Sequence, residues 1–110
     1  MNYLIVMTAI FIYVTCASRE EAGKIADALV ESGLAACVNI MGAQESVYRW
    51  QGKIEKASET GILIKTRDDL FEAVKDKVLA LHSYDCPCIA AWPVTKGHAP
   101  YLEWINAETR

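Results

Sequence analysis

His82, Cys86 and Cys88 fall within the single stretch "ALHSYDCPCIAAWPV" (80–94), and a further thiol, Cys16, closes an apolar run near the start of the chain. Imidazole and thiolate are the donors that zinc and copper(I) prefer. A site made of His82 with Cys88 or Cys16 would favour a soft ion over magnesium or calcium, provided that the thiols are accessible. Bland readings stand beside this one. Cys-x-Cys is not the Cys-x-x-Cys of a zinc knuckle, and residues i and i+2 of a strand merely share a face. A free cysteine often packs as a small hydrophobe, a reading that also suits Cys37 inside "AACVNIM". A histidine at a helix C-terminus is favoured by the helix dipole alone. Redox use of Cys86 and Cys88 is disfavoured by the intervening Pro87 and the tight spacing.

Tyr48, Trp50, Lys53, Lys65, Tyr84 and Trp104 form a second constellation. Aromatics with lysines around them describe a subunit interface and its rim. They equally describe a cleft between subunits in which Lys53 and Lys65 hold a small anion against the rings. Lys65 sits inside "ILIKT", where an ammonium needs a partner such as Asp85 or a group from another chain. No G-x-S-x-G, no glycine-rich phosphate loop and only two histidines are present, so the expectation is a protein that is not an enzyme and carries no organic cofactor.

The elements that hold these residues must come from one core, because 110 residues supply apolar material for a single domain, taken as 1–110. Eleven basic against fourteen acidic residues, with no basic run among aromatics, argue against nucleic acid. "MNYLIVMTAIFIYVTCAS" (1–18) is too short for a membrane span and has no positive charge before Arg19, unlike a signal peptide. Its β-branched and aromatic content predicts a buried strand instead. Without export or a membrane, the four cysteines would be free thiols or ligands in the cytoplasm.

Ser18 and Glu21 predict a capping box, after which Ala22, Ile25, Ala26, Leu29 and Val30 form the apolar face of a helix that Gly33 ends. Residues 35–41 predict a short buried strand and Gly42 a turn. "SVYRWQGKIEKASETGILIKT" (46–66) predicts a long hairpin turning at Gln51-Gly52. That hairpin outreaches one helical layer, so part of it must face solvent or another chain. Thr66, Asp68 and Asp69 offer capping oxygens to a second helix with the face Leu70, Phe71, Val74, Val78 and Leu81, ending near His82. "CIAAWPV" (88–94) predicts a buried strand, at an edge or bulged because of Pro93. Pro100 opens a terminal helix over "PYLEWINAE". The order specifies an α+β fold, a split βαβ sandwich with an antiparallel sheet and two helices on one face.

Several phrases in this order resemble the CutA family, small proteins associated with divalent-cation tolerance. "YVTCASREEAGKIADALVESGLAACVNI" (13–40) is similar to its first strand, helix and second strand. "SVYRWQGKIE" (46–55) resembles its Y-x-W-x-G-K hairpin, and "LHSYDCPCI" (81–89) its L-H-P-Y-x-x-P-E-I segment. "LIKT" (63–66) and "YLEWI" (101–105) complete a likeness that spans about residues 10–108. The resemblance implies a ferredoxin-like protomer in a homotrimer and binding of copper or another divalent ion, with His82 matching the motif histidine. Two departures matter: Ser83 stands where the pattern has proline, and Cys88 where it has glutamate, putting sulfur in place of oxygen. The expectation is therefore a cytoplasmic, homotrimeric, non-catalytic metal-ion binding protein with His82, Cys88 and Cys16 as ligands. The alternative is a trimeric small-molecule sensor akin to the PII signalling proteins, using an inter-subunit cleft.

Overall fold

A computed structural model describes residues 8–110. The chain runs β1 (Ala9–Cys16), α1 (Arg19–Glu31), β2 (Cys37–Trp50), β3 (Lys53–Arg67), a 3-10 turn (Asp68–Leu70), α2 (Phe71–Leu81), β4 (Ile89–Pro93) and α3 (Ala99–Ala107). The strands form one antiparallel sheet in the order β2-β3-β1-β4, the ferredoxin-like arrangement expected of two crossovers over one sheet. The part of the expected first strand that precedes residue 8 lies outside the described residues.

Strand alternation turns Ile10, Ile12, Val14 and Cys16 of β1 inward beside Ile62 and Ile64 of β3, and Ile25 and Leu29 of α1 with Val74 and Val78 of α2 close over them. Each fully buried aliphatic side chain here contributes about 2 kcal/mol relative to exposure. The α1 start is a capping box in modified form. The Glu21 amide donates to Ser18 Oγ (3.1 Å), while Glu21 Oε2 accepts from the Ala17 amide (2.7 Å), one residue upstream of the usual partner. Gly33, at φ +74°, ends the helix as its position predicts.

Four expectations are corrected. Val30 is exposed, because it lies at the margin of the α1 stripe. Thr66 caps nothing: its hydroxyl donates to the Leu34 carbonyl (2.6 Å), tying β3 to the loop after α1, and α2 starts with no side-chain cap. β4 is an edge strand, as Pro93 foretells, but four of its five residues are exposed. Residue 42 is no turn. β2 runs unbroken from Cys37 to Trp50, and Met41 and Gly42 together face Gly61 in a β-bulge, after which the register resumes at Ala43 opposite Thr60.

That bulge decides where the later β2 side chains go. Val38 and Ile40 pack on the core, and unbroken alternation would send Ser46, Tyr48 and Trp50 to that same face. One extra residue reverses them, and they join Thr15 and Glu59 on the face away from α1 and α2. Beyond Thr60, β3 pairs only with β2, so the hairpin projects as a two-stranded arm from a molecule 57 Å long and 25 Å wide. Its tip is a two-residue turn with Gln51 at φ 49° and Gly52 at φ 81°, the type I′ signature. Val47 and Ile54 on the arm are 60% and 67% exposed.

α3 covers the other end of the same face. Lys65 lies there with its Nζ 5.5 Å from the ring centroids of both Phe11 and Tyr101. The ammonium, for which Asp85 or a group from another chain was the expected partner, lies near two π faces of its own chain, and not near Asp85.

Candidate functional site

The two crossovers bring the N-terminus of α1 and the C-terminus of α2 to the Cys16 end of β1. Sulfur, carboxylate and imidazole meet there: the donor atoms of Cys16, Glu21 and His82 all lie within 4.8 Å of one another, the one such trio among the described residues. Donor chemistry in the sequence already pointed to Cys16 and His82, and the resemblance to His82 again. Glu21 was missed because its sequence context explains it fully as a cap. The signal available was topological, since a capping residue just after β1 must sit above the strand's last side chains.

The imidazole and the carboxylate of this trio are already engaged, and the thiol is buried. The His82 side chain has no exposed surface, its Nε2 donates to the Thr15 carbonyl (2.8 Å), and its Nδ1 accepts the Tyr84 amide (3.0 Å). Those partners assign the neutral Nε2–H tautomer and leave no lone pair for an ion. The two Glu21 oxygens accept the Ala17 amide and the Ser83 amide, the latter at 2.6 Å. Burial raises its carboxyl pKa, but these amide bonds outweigh that and hold it below the ordinary value. Cys16 is fully buried, and burial, reinforced by Glu21 and Glu59, pushes its thiol up to about 11. A metal ion does not fit this trio as folded: it would meet a protonated thiol, and taking His82 Nδ1 would strip the Tyr84 amide of its acceptor. The trio is a clasp that joins α1, α2 and β1.

The clasp positions a cleft beside it. Tyr84 packs on His82 with ring centroids 4.8 Å apart, and its hydroxyl donates to Glu59 Oε2 (2.9 Å). Burial first, then Glu59, pushes the Tyr84 hydroxyl up to about 12, so it stays a donor across the physiological range. The cleft measures about 410 Å³ and is lined by Thr15, Ser46, Tyr48, Trp50, Glu59, Tyr84, Asp85, Cys86 and Cys88. Cys86 and Cys88 are both exposed, contrary to the core-packing reading, because they sit in the loop before β4 rather than within the strand. Burial, then Glu59, raises the Cys88 thiol.

Of the residues singled out in the sequence, the structure gathers Tyr48, Trp50, Tyr84 and Cys88 into this cleft. It buries Cys16 and His82 in the clasp alongside. Lys53 lies opposite Trp50 at the tip of the arm, outside the cleft lining, while Lys65 lies beneath α3 and Trp104 lies on it. No lysine, arginine or histidine lines the cleft, so the two lysines expected to hold an anion there are absent from it within one chain. Glu59 was unforeseen. In "KIEKASET" it reads as one of several solvated hairpin charges, and only its place at the junction of arm and four-stranded sheet buries it.

Comparison with known proteins agrees with this fold. Residues 10–108 match the family described as "CutA1 divalent ion tolerance protein". The chain is 49% identical over 96 residues to the "Divalent-cation tolerance protein CutA" of Archaeoglobus fulgidus, covering 87% of this chain and 93% of that one. It is 46% identical over 102 residues to the chloroplastic protein CutA of Arabidopsis thaliana, covering 93% of this chain but only 56% of the relative's length. Among solved structures, that of CutA1 from Oryza sativa superimposes with a TM-score of 0.92 at 40% identity, over 94% of this chain and 95% of that one.

Proposed function

The chain belongs to the CutA1 divalent ion tolerance family, and from that premise we propose that it acts by binding a soft metal ion, copper foremost, as a homotrimer and without catalysis. The observation that supports this best is that two exposed thiols, Cys86 and Cys88, share a cleft with two carboxylates, Glu59 and Asp85. Of the three ligands expected from the sequence, Cys88 is the accessible one. Cys16 and His82 act indirectly, by fixing Tyr84 and the loop that carries the thiols. Sulfur donors favour copper(I) and zinc over magnesium or calcium. Four free cysteines suit a reducing compartment, which is why we place the protein in the cytoplasm.

Calorimetric titration of the reduced protein with copper(I) and with zinc tests this. Cys88→Ser should weaken binding by more than the roughly 10–100-fold that losing an outer partner of a ligand costs. Because the ion must displace thiol protons and the Cys88 thiol is raised, wild-type affinity should increase with pH. Absence of heat at micromolar metal, or an unchanged isotherm in Cys88→Ser, ends the reading.

One observation favours a second reading, a small-molecule sensor: the cleft has the size of sites for organic molecules, about 300–1,000 Å³, and three aromatic side chains in its wall.

A further inference from the structure

Glu59 is the buried charge of the cleft. It is 8% exposed, forms no ion pair among the described residues, and only its Oε2 is hydrogen-bonded, to the Tyr84 hydroxyl; Oε1 has no partner. That free oxygen is not sealed off but opens to the cleft, where a cation would pair with it favourably, and the described residues supply none. Asp85 adds a second negative charge to the same lining. Tyr48, Trp50 and Tyr84 bring three rings to the wall beside the two thiols, with Tyr48 and Trp50 each a little under half exposed. Aromatic faces attract cations through their quadrupole, most strongly when the cation is large and weakly hydrated.

We propose that this cleft takes a small organic cation, an alkyl- or arylammonium, whose nitrogen pairs with Glu59 while its carbon substituents lie against Tyr48, Trp50 and Tyr84. The inference rests on the small-molecule reading and names the charge and class of its ligand. It reverses the anion-holding cleft that Lys53 and Lys65 suggest in the sequence. An ammonium with an aryl or alkyl body uses more of a space of about 410 Å³ than a bare metal ion does, and can meet Glu59 and the rings at once. Tyr84, kept protonated, holds Glu59 in place by donating to one oxygen and leaves the other for the ligand.

Metal-free protein, held with a chelator, is titrated by calorimetry with benzyltrimethylammonium, with benzyl alcohol and with benzenesulfonate. The ammonium should bind saturably and the sulfonate should not. Glu59→Gln, which preserves an acceptor for Tyr84, should weaken the ammonium by about tenfold or more and bring it level with the alcohol. Trp50→Ala, which removes one ring from the cleft wall, should weaken it comparably and serves if Glu59→Gln misfolds. Binding of the sulfonate as well as the ammonium, or an ammonium affinity indifferent to both substitutions, overturns the inference while leaving the cleft a small-molecule site. No saturation by any of the three overturns both. The metal titration is scored separately.

Discussion

Glu21 does the work of two residues. It caps α1 through the Ala17 amide and reaches across to the Ser83 amide after α2, so one carboxylate joins two segments that are 62 positions apart. The folded carboxyl sits below its ordinary value, so the unfolded chain binds a proton more readily than the folded one does. Its contribution is therefore fully present above the unfolded pKa and is lost as pH falls through the folded one. Glu21→Gln should cost about 1–3 kcal/mol at neutral pH, because an amide N–H₂ would then face a backbone donor. Urea unfolding of both proteins across the acid range should show that gap closing as the wild-type carboxyl protonates. A gap of constant size would show that the charge of Glu21 plays no part. Cys16 lies in the same clasp but contributes as a buried, protonated thiol. That role was open in the sequence, where a cysteine ending a central strand reads equally as packing or ligand.

At the scale of elements, the helices, the hairpin tip and the edge strand were legible because each carries a local signal: the Ser18–Glu21 box, the 3.6-residue stripes, Gln51-Gly52, and Pro93. The bulge was not. Met41 and Gly42 look like the end of a strand because glycine marks turns and bulges alike, and only the pairing with β3 distinguishes them. Its consequence, Ser46, Tyr48 and Trp50 turned into the cleft, was hidden for the same reason. Cys86 and Cys88 were misplaced because an apolar run after them suggested that the strand began earlier than Ile89. Two glycines beside the bulge make this testable. A Cβ on Gly61 would stand 2.8 Å from Met41 Cε, 3.0 Å from Gln44 Oε1 and 3.1 Å from Tyr13 Cε1, where Gln44 already donates to the Tyr13 hydroxyl (2.7 Å). One on Gly42 would touch nothing within 4 Å, and its φ is not positive. Gly61→Ala should destabilise by up to about 1 kcal/mol, since Met41 Cε can swing aside but the hydrogen-bonded Gln44 and the Tyr13 ring must give, whereas Gly42→Ala should be neutral or stabilise by up to about 1 kcal/mol. Chemical denaturation checks both, and equal costs would contradict the bulge geometry.

The molecule is an α+β body with an uncovered arm. A two-stranded hairpin is marginal on its own, and this one exposes Val47, Tyr48, Trp50 and Ile54 along its length. Exposed apolar side chains beside free strand edges mark a surface that associates. The proposed trimer gives that surface a use: other copies of the chain pair with the arm, and the cleft at its root becomes part of an assembly. The length of the hairpin already predicts a part that faces solvent or another chain, and the partner's identity rests on family resemblance. Multi-angle light scattering of the purified chain at low micromolar concentration tests the claim most directly. The account predicts a single species at three times the 12.2 kDa protomer mass, and a well-folded particle of 12.2 kDa would contradict it.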